Sequence, residues 1–123
     1  MTEKNLEERK LIWVALSELY LDIELQESDL RYMARIFLES PFDLNKIKLI
    51  DRDEVFPVLF SNLLNPTGEW GFNEKRLAES IVSWMEKRSK LDILAVHCVY
   101  PLYSRVNRSY WKKIEKVYNQ ADG

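Results

Sequence analysis

Apolar residues recur at helical spacing along almost the whole chain, and the residues that break helices are few. Four prolines (Pro41, Pro57, Pro66, Pro101) and three glycines (Gly68, Gly71, Gly123) are all that 123 residues contain. Between them the backbone has little to stop a helix. The clearest stripe is Leu30, Met33, Ala34, Phe37 and Leu38, at i, i+3, i+4, i+7 and i+8. One face of a helix is apolar there, and Pro41 requires that helix to end near Ser40.

The same reading extends along the chain. Asn5 with Glu8 three residues on fits a capping box, which opens a helix running to about Leu21 with Ile12, Trp13, Leu16, Leu19 and Tyr20 inward. Ser28 precedes the Leu30 stripe, and Asp43 caps a short piece carrying Leu44, Ile47 and Ile50. Asp51 with Glu54, or Asp53 alone, caps the next helix, in which Val55, Phe56, Leu59 and Phe60 are apolar on more than one side. Pro57 is tolerated there because it falls near the first turn. Asn73 caps a helix of about 74–89, and the last helix covers about 106–119 with Tyr110, Trp111, Ile114, Val117 and Tyr118 as its apolar face. Residues 91–103 are ambiguous, since a continuous apolar run fits a buried helix or a strand. A helix interrupted at Pro101 is favoured, because no second strand-like segment exists for pairing. The expected fold is all-α: a single domain over residues 1–123, with six or seven short helices in an irregular arrangement.

A chain of this length builds one core, burying roughly two-thirds of the surface its unfolded form exposes. With 46% apolar and 31% charged residues it has the composition of a globular protein, not a disordered one. The single Cys98 excludes an internal disulfide framework and points to a reducing compartment. The charged start "MTEKNLEERK" leads into no secretory pattern, and the longest nearly apolar run, 93–103, is far short of a membrane span. A cytoplasmic protein without membrane attachment is expected.

Little in the residues points to catalysis. His97 and Cys98 are the lone members of their types and neighbours in sequence, so their side chains diverge and cannot act as nucleophile and base together. They read as ordinary packed residues. A metal needs three or four converging ligands, and no metal or other cofactor is expected. The acids of "DRDE" (51–54) could hold a divalent cation, but no phosphate-cradling glycines accompany them. Capping accounts for one of these acids and solvent exposure for the others. No G-x-S-x-G element is present.

Charge is the more informative feature. Residues 1–62 carry 13 acids and 8 bases, whereas residues 63–123 carry 7 acids and 10 bases. The stretch 11–30 has five acids and no base: Glu18, Asp22, Glu24, Glu27 and Asp29. These five, with Asp51 and Asp53, form the expected binding face for a basic protein partner. On the last helix, if it is continuous from Arg105, the residues Arg105, Arg108, Lys112 and Lys116 make a basic stripe able to follow a phosphate backbone. Its aromatics face the core and offer no stacking platform.

Three segments, "ERKLIWVALSELYLD" (8–22), "EVFPVLFSNLL" (54–64) and "GEWGF" (68–72), occur in the order and spacing of a family of small bacterial proteins known as a domain of unknown function, which the chain resembles. The resemblance covers positions 8 to about 85 well and the remainder loosely. It picks out Glu54, Pro57, Asn62, Gly68, Glu69 and Trp70 as fold signatures, and it implies no activity. In other members the loop resembles Gly-Glu-Trp-Ala-Gly-Phe; here Gly71 follows Trp70 directly. The segment "NPTGEWGFN" (65–73) reads as an interhelical turn in which a glycine supplies positive φ and Trp70 and Phe72 fold back as core plugs. Glu69 is left without a structural role.

The expected function is a non-enzymatic protein-binding module, of the immunity type that neutralises a toxin through an acidic surface. The alternative is a regulator that binds nucleic acid through the basic stripe.

Overall fold

The computed structural model describes residues 3–20, 24–63 and 74–122. Within these lie seven α-helices: α1 (Glu3–Ser17), α2 (Glu27–Glu39), α3 (Leu44–Ile50), α4 (Phe56–Leu63), α5 (Glu74–Lys87), α6 (Lys90–Tyr103) and α7 (Arg108–Asp122). A 3₁₀ turn (Glu18–Tyr20) extends α1, and a π-helical turn (Asp51–Val55) joins α3 to α4 without a break. No strand occurs among the described residues, so the fold is all-α.

The expected stripes are the buried ones. Ile12, Trp13, Leu16, Leu19 and Tyr20 of the first segment, Leu30, Met33, Ala34 and Phe37 of α2, and Leu77, Ala78 and Ile81 of α5 enter one hydrophobic core with Trp111 and Ile114 of α7. Helix α2 lies along α7, where Phe37 stacks on Trp111 at 6.3 Å between ring centroids. Helix α1 packs on α2, α5 and the π turn.

The helix ends differ from expectation in several places. Helix α1 already begins at Glu3, so Asn5 lies inside it and does not cap it. Helix α2 begins at Glu27, earlier than a Ser28 cap allows, and the Asp29 carboxylate accepts the Gln26 backbone N–H at 2.8 Å. Asp43 does cap α3, accepting the Lys46 N–H at 2.7 Å. Helix α6 opens on a capping box: Ser89 Oγ accepts the Asp92 N–H at 3.1 Å and Asp92 accepts the Ser89 N–H at 2.8 Å. It runs through Pro101 to Tyr103 and is not interrupted there. Only two residues follow the proline, and the Ser104 N–H closes the end on the Tyr100 carbonyl at 2.8 Å. Helix α7 begins at Arg108, and Arg105 stands in the turn before it.

Asp22, Gly68, Glu69, Trp70 and Asn73 lie outside the described residues, as does the side chain of Asn62. The whole segment "NPTGEWGFN" (65–73) lies outside the described residues with them.

Candidate functional site

The segment 51–54 is where the structure departs furthest from a capped, solvated acid cluster. None of its acids caps a helix through its side chain. The wide π turn bonds the Phe56 N–H back to the Asp51 carbonyl, and it sends three carboxylates to three different sets of donors. Such turns are often inserted where side chains need re-aiming.

Asp51 is 1% exposed. Tyr20 and Tyr100 donate their hydroxyls to its two oxygens at 2.8 and 2.7 Å. Burial pushes its carboxyl up, the two tyrosine bonds pull it part of the way back, and it settles at about 6. The tyrosines answer in kind. Burial and the neighbouring Asp51 charge hold the hydroxyls of both Tyr20 and Tyr100 above the ordinary phenol range. Glu54, also buried, accepts Arg9 Nη1 at 2.8 Å and Trp13 Nε1 at 3.0 Å, which ties α1 to the π turn. Asp53 is half-buried and takes the Arg52 guanidinium in a fork at 2.8 and 3.0 Å, with His97 Nε2 at 3.2 Å. Burial alone would push Asp53 up; the bonds and charges of Arg52 and His97 outweigh it and hold the carboxyl below its ordinary value. Its backbone carbonyl accepts Trp84 Nε1 at 3.2 Å.

The departure from solvated acids has a plain physical cause. A carboxylate surrounded by apolar helices is stable there only when hydrogen-bonded, and the π turn supplies the geometry that satisfies each one. Asp51 therefore cannot contact a partner, and Asp53 is largely spoken for by Arg52 and His97. Chemically Asp51 and Glu54 are sealed, with both Asp51 oxygens occupied, and the hollow beside Asp53, Trp84 and His97 has a volume of about 140 Å³, below the roughly 300 Å³ at which ligand pockets begin. Among the described residues no group of three or more His, Cys, Asp or Glu gathers as a metal site requires. Removing one tyrosine bond tests the balance: in Tyr100→Phe the Asp51 carboxyl titrates higher than about 6, which a carbon-detected NMR titration of its carboxyl measures.

Helix α6 carries the second surprise. Its apolar run reads as a buried segment, yet the helix contains no buried residue. At 3.6 residues per turn its sequence resolves into two apolar faces. Ile93, Val96, Tyr100 and Tyr103 face inward, and Tyr103 stacks on Tyr20 at 5.5 Å. Leu91 (77% exposed), Leu94 (59%), Ala95, Cys98 and Leu102 (63%) share the opposite face, and Val106 (69%) continues just past the helix. Cys98 and His97 are thus exposed, against the expectation that both are packed. Of the large apolar side chains exposed among the described residues, most lie in this one segment.

The two charged surfaces survive in reduced form. Glu24, Glu27 and Asp29 are exposed and Glu18 half-exposed at the junction of α1 and α2. Burial and the neighbouring Asp29 charge hold Glu18 above its ordinary value, so acids on two elements have converged. Among the described residues none of these four is in a salt bridge. On α7, Arg108, Lys112 and Lys116 are exposed at four-residue intervals, one stripe, from which Arg105 is excluded by the start of the helix.

Residues 7–117 match the family model described as a domain of unknown function (DUF7079). The chain belongs to that family. No curated protein and no solved structure matches it. The matched span takes in Arg9, the whole π turn and all of α6, so the sealed carboxylates and the two-faced helix both lie inside the DUF7079 domain. Periodicity alone misses Leu91, Leu94 and Leu102, because a helix apolar on two faces reads as one continuous run. The one available signal is that "LDILAVHCV" is too apolar for a helix with a single neighbour.

Proposed function

We propose that this chain is a non-enzymatic protein-binding module of the immunity type, which docks onto a basic toxin-bearing partner and neutralises it in the cytoplasm. The observation that carries this reading is the outward face of α6: leucines exposed by more than half on a helix with no buried residue have no structural use until a protein covers them. The choice of a basic partner rests on Glu18, Glu24, Glu27 and Asp29. Tyr20, close to Glu18 in the 3₁₀ turn, stacks against the C-terminal end of α6. An acidic cluster and an apolar patch on one chain give orientation and fast encounter together with desolvated contact area. Among the described residues no helix is long and apolar enough to cross a membrane.

The experiment is co-expression with the protein encoded beside this chain's gene. That neighbour arrests growth when expressed alone, and the native chain rescues it. The double variant Leu94→Glu/Leu102→Glu fails to rescue while keeping the native helical circular dichroism and melting temperature within a few degrees, since both side chains are already in water. Charge reversal at Glu18, Glu24 and Glu27 slows association at least tenfold at low salt and flattens or inverts its dependence on salt. Full rescue by the leucine variant sinks the proposal.

The basic stripe keeps a second reading open. Arg108 and Lys112 line a cleft of about 370 Å³ together with Lys48 of α3, which adds a base from another helix, although Lys48 is already paired with Glu115. Retention of the chain on single-stranded RNA that is lost in Arg108→Ala/Lys112→Ala favours this reading.

A further inference from the structure

A groove of about 620 Å³ runs between α1 and α5. Its floor is apolar, with Leu6, Leu11 and Val14 from α1 and Ala78 and Val82 from α5. Leu11 is 64% exposed, so the floor is open to solvent along part of its length. The rim is acidic: Glu7, Glu74, Glu79 and Glu86 stand against Lys10 and Lys75. Lys10 is held by Glu7 at 3.3 Å, and the rim keeps a net negative charge. From Glu74 to Glu86 the α5 wall spans 13 residues, or roughly 18 Å at the rise of an α-helix, which matches about three turns of a helix laid alongside.

We infer that this groove is the docking site for one basic amphipathic helix of the partner, whose apolar stripe enters between α1 and α5 while its Lys or Arg residues meet Glu74, Glu79 and Glu86. An apolar slot between two helices is the geometry of helix-in-groove recognition. The sign of the rim selects the occupant. An acidic helix would bring like charges together at the rim, and an apolar one would leave the glutamates without partners. The groove lies on α1 and α5, not on α6, so it is a second contact; it rests on the protein-binding reading and deepens it by naming the chemistry of the segment that is bound.

The test uses the full chain and two synthetic 14-residue peptides of the same amphipathic pattern, one of Leu and Lys and one of Leu and Glu, followed by amide chemical shifts. The Leu/Lys peptide shifts Val14, Val82 and Glu79 saturably, and the Leu/Glu peptide binds at least tenfold more weakly. Glu79→Lys/Glu86→Lys and, separately, Leu11→Glu each weaken the Leu/Lys peptide at least tenfold. All three positions are exposed, so these variants keep the fold. Leu49→Glu on α3, exposed and outside both surfaces, leaves the titration unchanged. Equal binding of the two peptides, shifts confined to α6, or full affinity in both groove variants overturns the inference. Loss of rescue in the growth assay bears on the toxin partner alone and leaves the peptide result standing.

Discussion

Glu54→Ala unfolds more readily than the native chain by about 3–5 kcal/mol, the range for removing one member of a buried ion pair. The glutamate is the common acceptor for Arg9 and for the indole N–H of Trp13, which is itself fully buried. Truncation leaves the buried indole donor without an acceptor and unpairs a half-buried guanidinium, which turns to water only by abandoning its place over the Phe42 ring. Glu54→Gln separates the two effects. An amide can still accept the Trp13 N–H but forfeits the charge, so its cost falls between the native chain and the alanine variant. Denaturant titrations measure all three, and a cost below about 1 kcal/mol for Glu54→Ala contradicts the role assigned to this residue.

Asp51 gives the second large effect, and its sign is the reverse of the usual acid. Burial raises its carboxyl from 3.8 to about 6 in the folded chain, so between those values the native state holds a proton that the unfolded state has released. Stability attributable to this group is therefore fully present below about pH 4 and is lost as pH rises through about 6. A rise of that size corresponds to about 3 kcal/mol. The difference in unfolding free energy between the native chain and Asp51→Asn, followed from about pH 4 to 8, falls by about that amount as the pH rises. A difference that stays flat, or that grows with pH, places the charged carboxylate in a better environment than two tyrosine hydroxyls provide.

The all-helical architecture is readable from the sequence because most of the helices bury one stripe, and a stripe with a 3.6-residue period is a local signal. Leu30, Met33, Ala34 and Phe37 illustrate it: their spacing alone puts them inward, and all four are buried. The carboxylates of the π turn are a different kind of fact. For Asp51 and Glu54 the donors lie 31, 49, 45 and 41 residues away, at Tyr20, Tyr100, Arg9 and Trp13, so no local window contains both halves of those bonds; only the Arg52–Asp53 fork is local. Read locally, three acids within four residues look like caps and solvated charges. Helix α6 fails for the opposite reason. Its sequence holds the right information, but two apolar faces cancel the periodic contrast, and the run resembles a buried segment until the fold shows that only Val96, Tyr100 and Tyr103 pack against the core. The acidic surface is legible as charge, and folding removes Asp51 and Asp53 from it by giving them internal partners.

The outward face of α6 carries its own reporter. Cys98 is the one cysteine of the chain, it is exposed, and it sits between Leu94 and Leu102 in the middle of the apolar face. Its rate of alkylation by a small maleimide, measured for the free chain and for the chain saturated with the partner proposed above, reads directly whether that face is covered. The docking account predicts ready alkylation of the free chain and at least tenfold protection in the complex. An unchanged rate in a complex shown to be saturated would mean that the partner binds elsewhere and that the α6 leucines are not its site.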